Sequence, residues 1–195
     1  MHLHKRVFAS LVTLVIMLTG LGPTHAFAQS ATPDEALASE YFGAIPWELP
    51  DDAEKMVVDS VVDVDTVKLT EPNNHWWESY RIVGIQAPEM DGPYTDEECY
   101  GAEGKEFLID LLPKGTEGYT QQDISNKDRN GRFLRHIFIV DEETEDVYLL
   151  SEVLVLGGFA KAREYPPDDL YVDILEGAQE IADGEDTGLW DECAA

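Results

Sequence analysis

Residues 61–69, VVDVDTVKL, decide the reading of the fold. Val61, Val62, Val64, Thr66, Val67 and Leu69 favour extended backbone, so the run reads as a strand. Alternation then places Asp63 and Asp65 on the face of Val61, Val67 and Leu69. Two acids on an otherwise apolar face need compensation, because burying an unpaired carboxylate is expensive.

Working outward, MVVDSVVDVDTVKL and SYRIVGI alternate like strands, with TEPNNHWWE between them as a turn region. GAEGKEFLIDLLPKG reads as a helix: Phe107, Leu108, Leu111 and Leu112 recur at helical spacing, and Pro113 with Gly115 ends it. GYTQQDIS and GRFLRHIFIV read as strands around the polar turn NKDRNG. A second helix is expected over YLLSEVLVLGG, closed by Gly157 and Gly158. A third is expected from about Asp168 to Ala182, with Leu170, Ile174, Leu175, Ala178 and Ile181 on one side. Strands, helix, strands and two helices suit a small α+β domain on an antiparallel sheet or barrel.

The 195 residues suffice for one domain with extra length. Residues 1–28 have the pattern of a signal peptide: basic MHLHKR, apolar VFASLVTLVIMLTGLG, then Ala26 and Ala28 in a small-x-small arrangement. The apolar run is shorter than the roughly 20 residues of a spanning helix, so export without stable membrane association is expected, and a monomer. Residues 29–56 are an acidic, proline-containing leader in which Tyr41, Phe42, Ile45, Trp47 and Leu49 are candidates to pack on the domain of 57–195. In an oxidising compartment the only two cysteines, Cys99 and Cys193, read as one disulfide. The formal charge of −27 becomes −29 once Lys5 and Arg6 are removed. Such a surface repels polyanions and excludes a general nucleic-acid coat; it suits a salty medium, where self-repulsion is screened.

Four clusters carry possible chemistry: Asp63 with Asp65; Arg81 and Glu89 in YRIVGIQAPE; the turn NKDRNGRFLRH; and Lys161, Arg163 and Tyr165. The turn holds Lys127, Arg129, Arg132 and Arg135, four of the eleven bases left after residue 28, against Asp128 alone. Carboxylate oxygens suit a hard cation such as Ca²⁺, arginines bind phosphate bidentately, and a carboxylate nearby orients or deprotonates water. Together these parts describe metal-assisted phosphodiester hydrolysis.

The ordered segments VVDVDTVKL, YRIVGIQAPE, ECYGAEGKEFLIDLL, KDRNGRFLRHIFI, SEVLVLGGFAKA and GLW resemble the staphylococcal nuclease (thermonuclease) family from Val61 to Trp190. The resemblance implies a five-stranded oligonucleotide/oligosaccharide-binding (OB) barrel with three helices. It also implies a Ca²⁺-dependent enzyme acting on DNA or RNA. Carried over by position, Asp65 is a metal ligand with Asp63 in support, and the Ala87 carbonyl is another ligand. Arg81 and Arg132 are the phosphate-contacting arginines, and Glu89 is the general base or the group that orients the water. Lys127, Arg129, Arg135, Lys161 and Tyr165 are the candidate substrate contacts.

Three positions depart from the family pattern. Gln86 stands where an aspartate ligand is usual, Val64 replaces a glycine, and Asn130 replaces a tyrosine. Gln86 still offers a carbonyl oxygen, with one negative charge fewer. The alternatives are a nuclease-like domain that binds nucleic acid or a protein without cleaving, and a structural Ca²⁺-binding protein. Arg81 pairing with Asp63, Asp65 or Glu89 is the structural reading of that residue. His136, Trp76, Trp77 and Trp190 read as packing residues, not as a base or stacking platforms.

Overall fold

The computed structural model describes residues 41–90 and 96–193; the signal-peptide segment 1–28 and the first part of the leader lie outside the described residues. VVDVDTVKL is not one strand. It is the closed end of a hairpin between β1 (Glu54–Asp63) and β2 (Thr66–Thr70), with Val61 opposite Val67 and Asp63 opposite Thr66. Val64 and Asp65 form the turn, and neither has a positive φ, so the turn tolerates valine. The run carries no Gly, Pro or Asn to mark it, which is why composition reads it as continuous strand. Val64 is fully buried, wedged against α1 (Gly101–Leu111). A Cβ at Gly104 would lie 3.0 Å from its Cγ2, so the glycine lets the helix seat on the turn.

The hairpin continues into β3 (Glu78–Ile82), while β1 pairs with β5 (Glu117–Gln121) and β5 with β6 (Phe133–Val140), all antiparallel. Parallel pairing of β3 with β6, Tyr80 opposite Phe133, closes the five strands into the barrel of an OB-type α+β fold. The short β4 (Ile85–Gln86) pairs with β8 (Lys161–Ala162), and β7 (Val147–Leu149) extends the sheet from β6. Inward residues such as Val67, Ile82, Leu108 and Phe138 are excluded from water; truncating one of this size to alanine costs about 2–5 kcal/mol.

The described residues of the leader do pack. Tyr41 stacks on Tyr148 at 4.1 Å, Phe42 meets Phe107 and Phe159 edge-on, and the Trp47 indole donates to Glu152 at 2.7 Å. Leu49 joins them, whereas Ile45 stays exposed.

There are four described helices, not three: α1, α2 (Leu150–Leu156), α3 (Val172–Gly184) and the one-turn α4 (Leu189–Glu192). α3 starts later than expected and buries Leu175, Ala178 and Ala182, while Leu170, Ile174 and Ile181 face out. The side chains nearest β8 and α2 therefore set the buried stripe, and the larger isoleucines lie off it. Before α4, backbone passes close to backbone: a Cβ at Gly158 (φ 65°) would lie 2.1 Å from the Thr187 carbonyl oxygen. α4 delivers Cys193 to Cys99, and the disulfide closes a 94-residue separation. On the chain-entropy account a loop of that length stabilises by about 4–5 kcal/mol.

Candidate active site

The turn that hides Val64 presents Asp63, Asp65 and Thr66 at the floor of a cleft of about 940 Å³. Arg81 sits beside Thr66 in the β2–β3 register, so its side chain emerges next to the turn. Its guanidinium ion-pairs with Asp65 at 2.5 Å and donates to the carbonyl oxygens of Asp65 and Ile85 and to the Tyr165 hydroxyl. This is the structural pairing weighed from the sequence, and it occurs inside the cleft.

Arg132 reaches the same place from the opposite wall. The β5–β6 connection folds around Asp128, whose Oδ1 accepts from the backbone N–H groups of Asn130 and Arg132, with Gly131 (φ 83°) making the bend. The other oxygen, Oδ2, takes the Arg132 Nε–H at 2.7 Å, and Arg132 Nη1 donates to Thr66 Oγ1 at 3.0 Å. Burial disfavours ionisation of Asp128, but the Arg132 bonds outweigh it and hold the carboxyl below the usual carboxylate range. Thr66 in turn donates to Asp65 Oδ1 at 2.8 Å. Two guanidiniums thus converge on one Asp–Thr pair.

Glu89 lies exposed on the rim, its backbone N–H bound to the Glu98 carboxylate at 3.0 Å. Gln86 also lines the cleft: its Oε1 accepts from the Tyr165 hydroxyl at 2.8 Å, and its Nε2 donates to the Ala87 carbonyl at 3.1 Å. The structure therefore brings together Asp63, Asp65, Arg81, Gln86, Glu89, Arg129, Arg132 and Tyr165.

It does not bring in three of the expected substrate contacts. Lys127 lies over the Phe133 ring at 3.8 Å and Lys161 over Trp190 at 5.1 Å. Arg135 is buried and donates to Asn126 and to the Leu134 carbonyl oxygen. Sequence proximity to Arg132 says nothing about side, because neighbours on a strand point to opposite faces. Sequence reading passed over Asp128 and Thr66, which aim Arg132. The signal for Asp128 was present, an Asp two residues before Asn-Gly in a turn, with its arginine at i+4.

Every candidate metal donor, from Asp63, Asp65, Gln86 and the Ala87 carbonyl, is oxygen, which is the chemistry of Ca²⁺. Burial raises the Asp63 carboxyl above its ordinary value, and the Asp65 charge adds to the rise. A cation between these acids would relieve both, so the donor set fits. The same oxygens are engaged by protein donors, however, and the described residues contain no group of three or more His, Cys, Asp or Glu arranged around one metal position.

Behind the cleft lies a second ionisable cluster. His136 is buried, edge-on to Tyr171 at 4.7 Å, with Asp123 3.8 Å away; neither ring nitrogen has a hydrogen-bond partner among the described residues. Burial pushes its pKa down to about 4 against the pull of Asp123 and Asp168. It packs; it does not face the cleft.

Comparison with known proteins agrees with this geometry. The thermonuclease of Staphylococcus intermedius is 28% identical over 138 residues, covering 71% of this chain and 77% of the relative. That of Staphylococcus hyicus is 28% identical over 130 residues, covering 67% and 72%. The sequence pattern described as Staphylococcal nuclease homologue matches residues 79–192, more than half of the chain and all of the cleft wall from Ser79 onward. With the closed barrel, the two arginines and the rim glutamate in place, the chain belongs to the staphylococcal nuclease family.

Proposed function

We propose that the protein is an exported, Ca²⁺-dependent nuclease that hydrolyses DNA or RNA phosphodiester bonds. The observation that carries this reading is the convergence of Arg81 and Arg132 on Asp65 and Thr66 in a cleft that also holds Glu89. Both guanidiniums donate to non-bridging phosphate oxygens. Their bonds strengthen as negative charge builds on those oxygens during attack, which is where a preorganised donor lowers a barrier. Glu89 orients the attacking water or takes its proton. Asp65, Asp63 and the carbonyl oxygens of Gln86 and Ala87 would hold Ca²⁺, which supplies positive charge beside the phosphate. Substrate then has to draw Arg81 partly away from Asp65, and Gln86 has to release the Ala87 carbonyl.

The disulfide and the N-terminal pattern support export, and no described helix is long and apolar enough to cross a membrane. The charge of −27 supports work in a salty medium, so turnover at low salt is expected to be poor. One observation favours a second reading, a binding module without catalysis: Gln86 caps the Ala87 carbonyl instead of leaving it open. Hydrolysis of single-stranded DNA with Ca²⁺ or chelator, at low and molar salt, separates the two. Ca²⁺-dependent cleavage that disappears in Glu89→Ala is the expected result; absence of cleavage at every salt from folded, disulfide-bonded protein overturns the enzyme.

A further inference from the structure

The connection from β2 to β3 carries the largest exposed apolar side chains near the cleft: Trp76 is 82% and Trp77 50% exposed. Both were expected to pack. The two adjacent indoles form an exposed apolar patch, and hydrogen bonds fix the backbone that carries them. Asn74 Oδ1 accepts from the backbone N–H groups of His75 and Trp76, and its carbonyl oxygen accepts from Thr70 Oγ1. The tip is thereby held with its rings presented to solvent.

The tip is also continuous with the cleft. Ser79, two residues from Arg81 on β3, lines the cleft. Lys68 lies directly opposite Ser79 across the β2–β3 ladder, on the same face. Its ammonium stands 3.9 Å over the Trp77 ring. One face therefore runs from Arg81 through Ser79 and Lys68 to Trp77, about 13 Å at strand rise. That is several base steps, at about 3.4 Å of axial rise per nucleotide of a stacked strand.

We propose that Trp76 and Trp77, backed by Lys68, form a stacking platform for bases of a single-stranded nucleic acid whose scissile phosphate lies at Arg81 and Arg132. The proposal rests on the nuclease reading and adds a second contact point to it. Every base has a π-face, so such a platform is sequence-tolerant. Glu71 and Glu78 flank the tip and oppose a polyanion, so the binding energy comes from ring contact and from Lys68, not from net charge. Stacking is short-ranged and survives salt, unlike phosphate contacts. Two indoles offer about 150–250 Å² each, well short of the roughly 800 Å² per partner of a stable protein interface, which disfavours a second copy as occupant.

The test uses the full chain in a Glu89→Ala background, so that nothing is cleaved, and measures binding of dodecathymidylate and of a thymidine dinucleotide with and without Trp76→Ala/Trp77→Ala. Stacking of about 1–3 kcal/mol per base predicts at least a roughly fivefold rise in Kd for the dodecamer. The dinucleotide, too short to span cleft and tip, keeps its affinity, and the dodecamer effect persists at molar salt. Unchanged dodecamer affinity overturns the proposal, as does an equal loss for both ligands. A variant that changes only sedimentation or vesicle binding overturns it in favour of a second copy or a membrane. Hydrolysis by the unmodified chain is scored separately: no cleavage with tip-dependent binding intact sinks the nuclease and keeps the platform, and cleavage with tip-independent binding does the reverse.

Discussion

The cleft at Asp65 and the pocket at His136 are built from the same kinds of group, acids beside bases on adjoining strands, yet they end in opposite states. At Asp65 the acid is surrounded by donors: Arg81 pairs with it, Thr66 donates to it, and Arg132 is steered in by Asp128. At His136 the charge is refused, because Asp123 at 3.8 Å is too far to hydrogen-bond and burial outweighs its attraction. The cleft stores electrostatic field for a ligand, while the pocket stores a liability toward acid. What separates them is the number of donors aimed at each acid and the access of solvent.

The strongest way to break the cleft is Arg132→Ala. Loss of one phosphate donor is expected to lower kcat by about 10²–10³-fold. Since Arg132 and Asp128 are partly exposed, the melting temperature should barely move. A comparable fall in stability would mean that the arginine is structural.

The pocket is tested by acid. Between about pH 6.5, where an unfolded histidine titrates, and about 4, where His136 does, the unfolded chain binds the extra proton, so stability falls as pH falls. The loss amounts to about 3 kcal/mol by pH 4. Glu152, whose carboxyl burial raises, runs the other way over part of that window. The informative quantity is therefore the difference between the wild type and His136→Phe in urea unfolding across pH, and equal slopes would refute the assignment.

Smaller effects sharpen the same contrast. Asp128→Asn keeps the turn but weakens the grip on Arg132, and about a tenfold loss in kcat is expected, a barrier change of about 1.4 kcal/mol. Thr66→Val removes the bridge between Arg132 and Asp65, with a loss of a few-fold in kcat, and its isosteric side chain should leave the barrel folded.

Much of this was legible in the residues themselves. The strand order and three of the four described helices follow from periodicity, the disulfide pair from the cysteine count, and the five-stranded barrel with the cluster Asp65, Arg81, Glu89 and Arg132 from the ordered family segments. The turn at Val64 was not legible, because a buried valine turn has no compositional mark and is specified by the space left at Gly104, forty residues away. The outward placement of Ile174 and Ile181 was also hidden, since periodicity admits more than one stripe and tertiary contact selects among them. Nor could spacing show that Arg135 turns inward to Asn126 while Arg132, three residues before it, turns to Thr66.

The parallel pairing of β3 with β6 has a kinetic consequence. It joins Tyr80 to Phe133, more than fifty residues apart, whereas the β1–β2 hairpin forms from neighbours. Loop-closure entropy makes such a non-local pairing slow relative to the hairpin. Arg132 lies one residue from that seam, so it meets Thr66 only once the barrel has closed. A chain caught with the early hairpin alone holds Asp63 and Asp65 in place but has neither guanidinium beside them, and the full cluster exists only once its last strands meet.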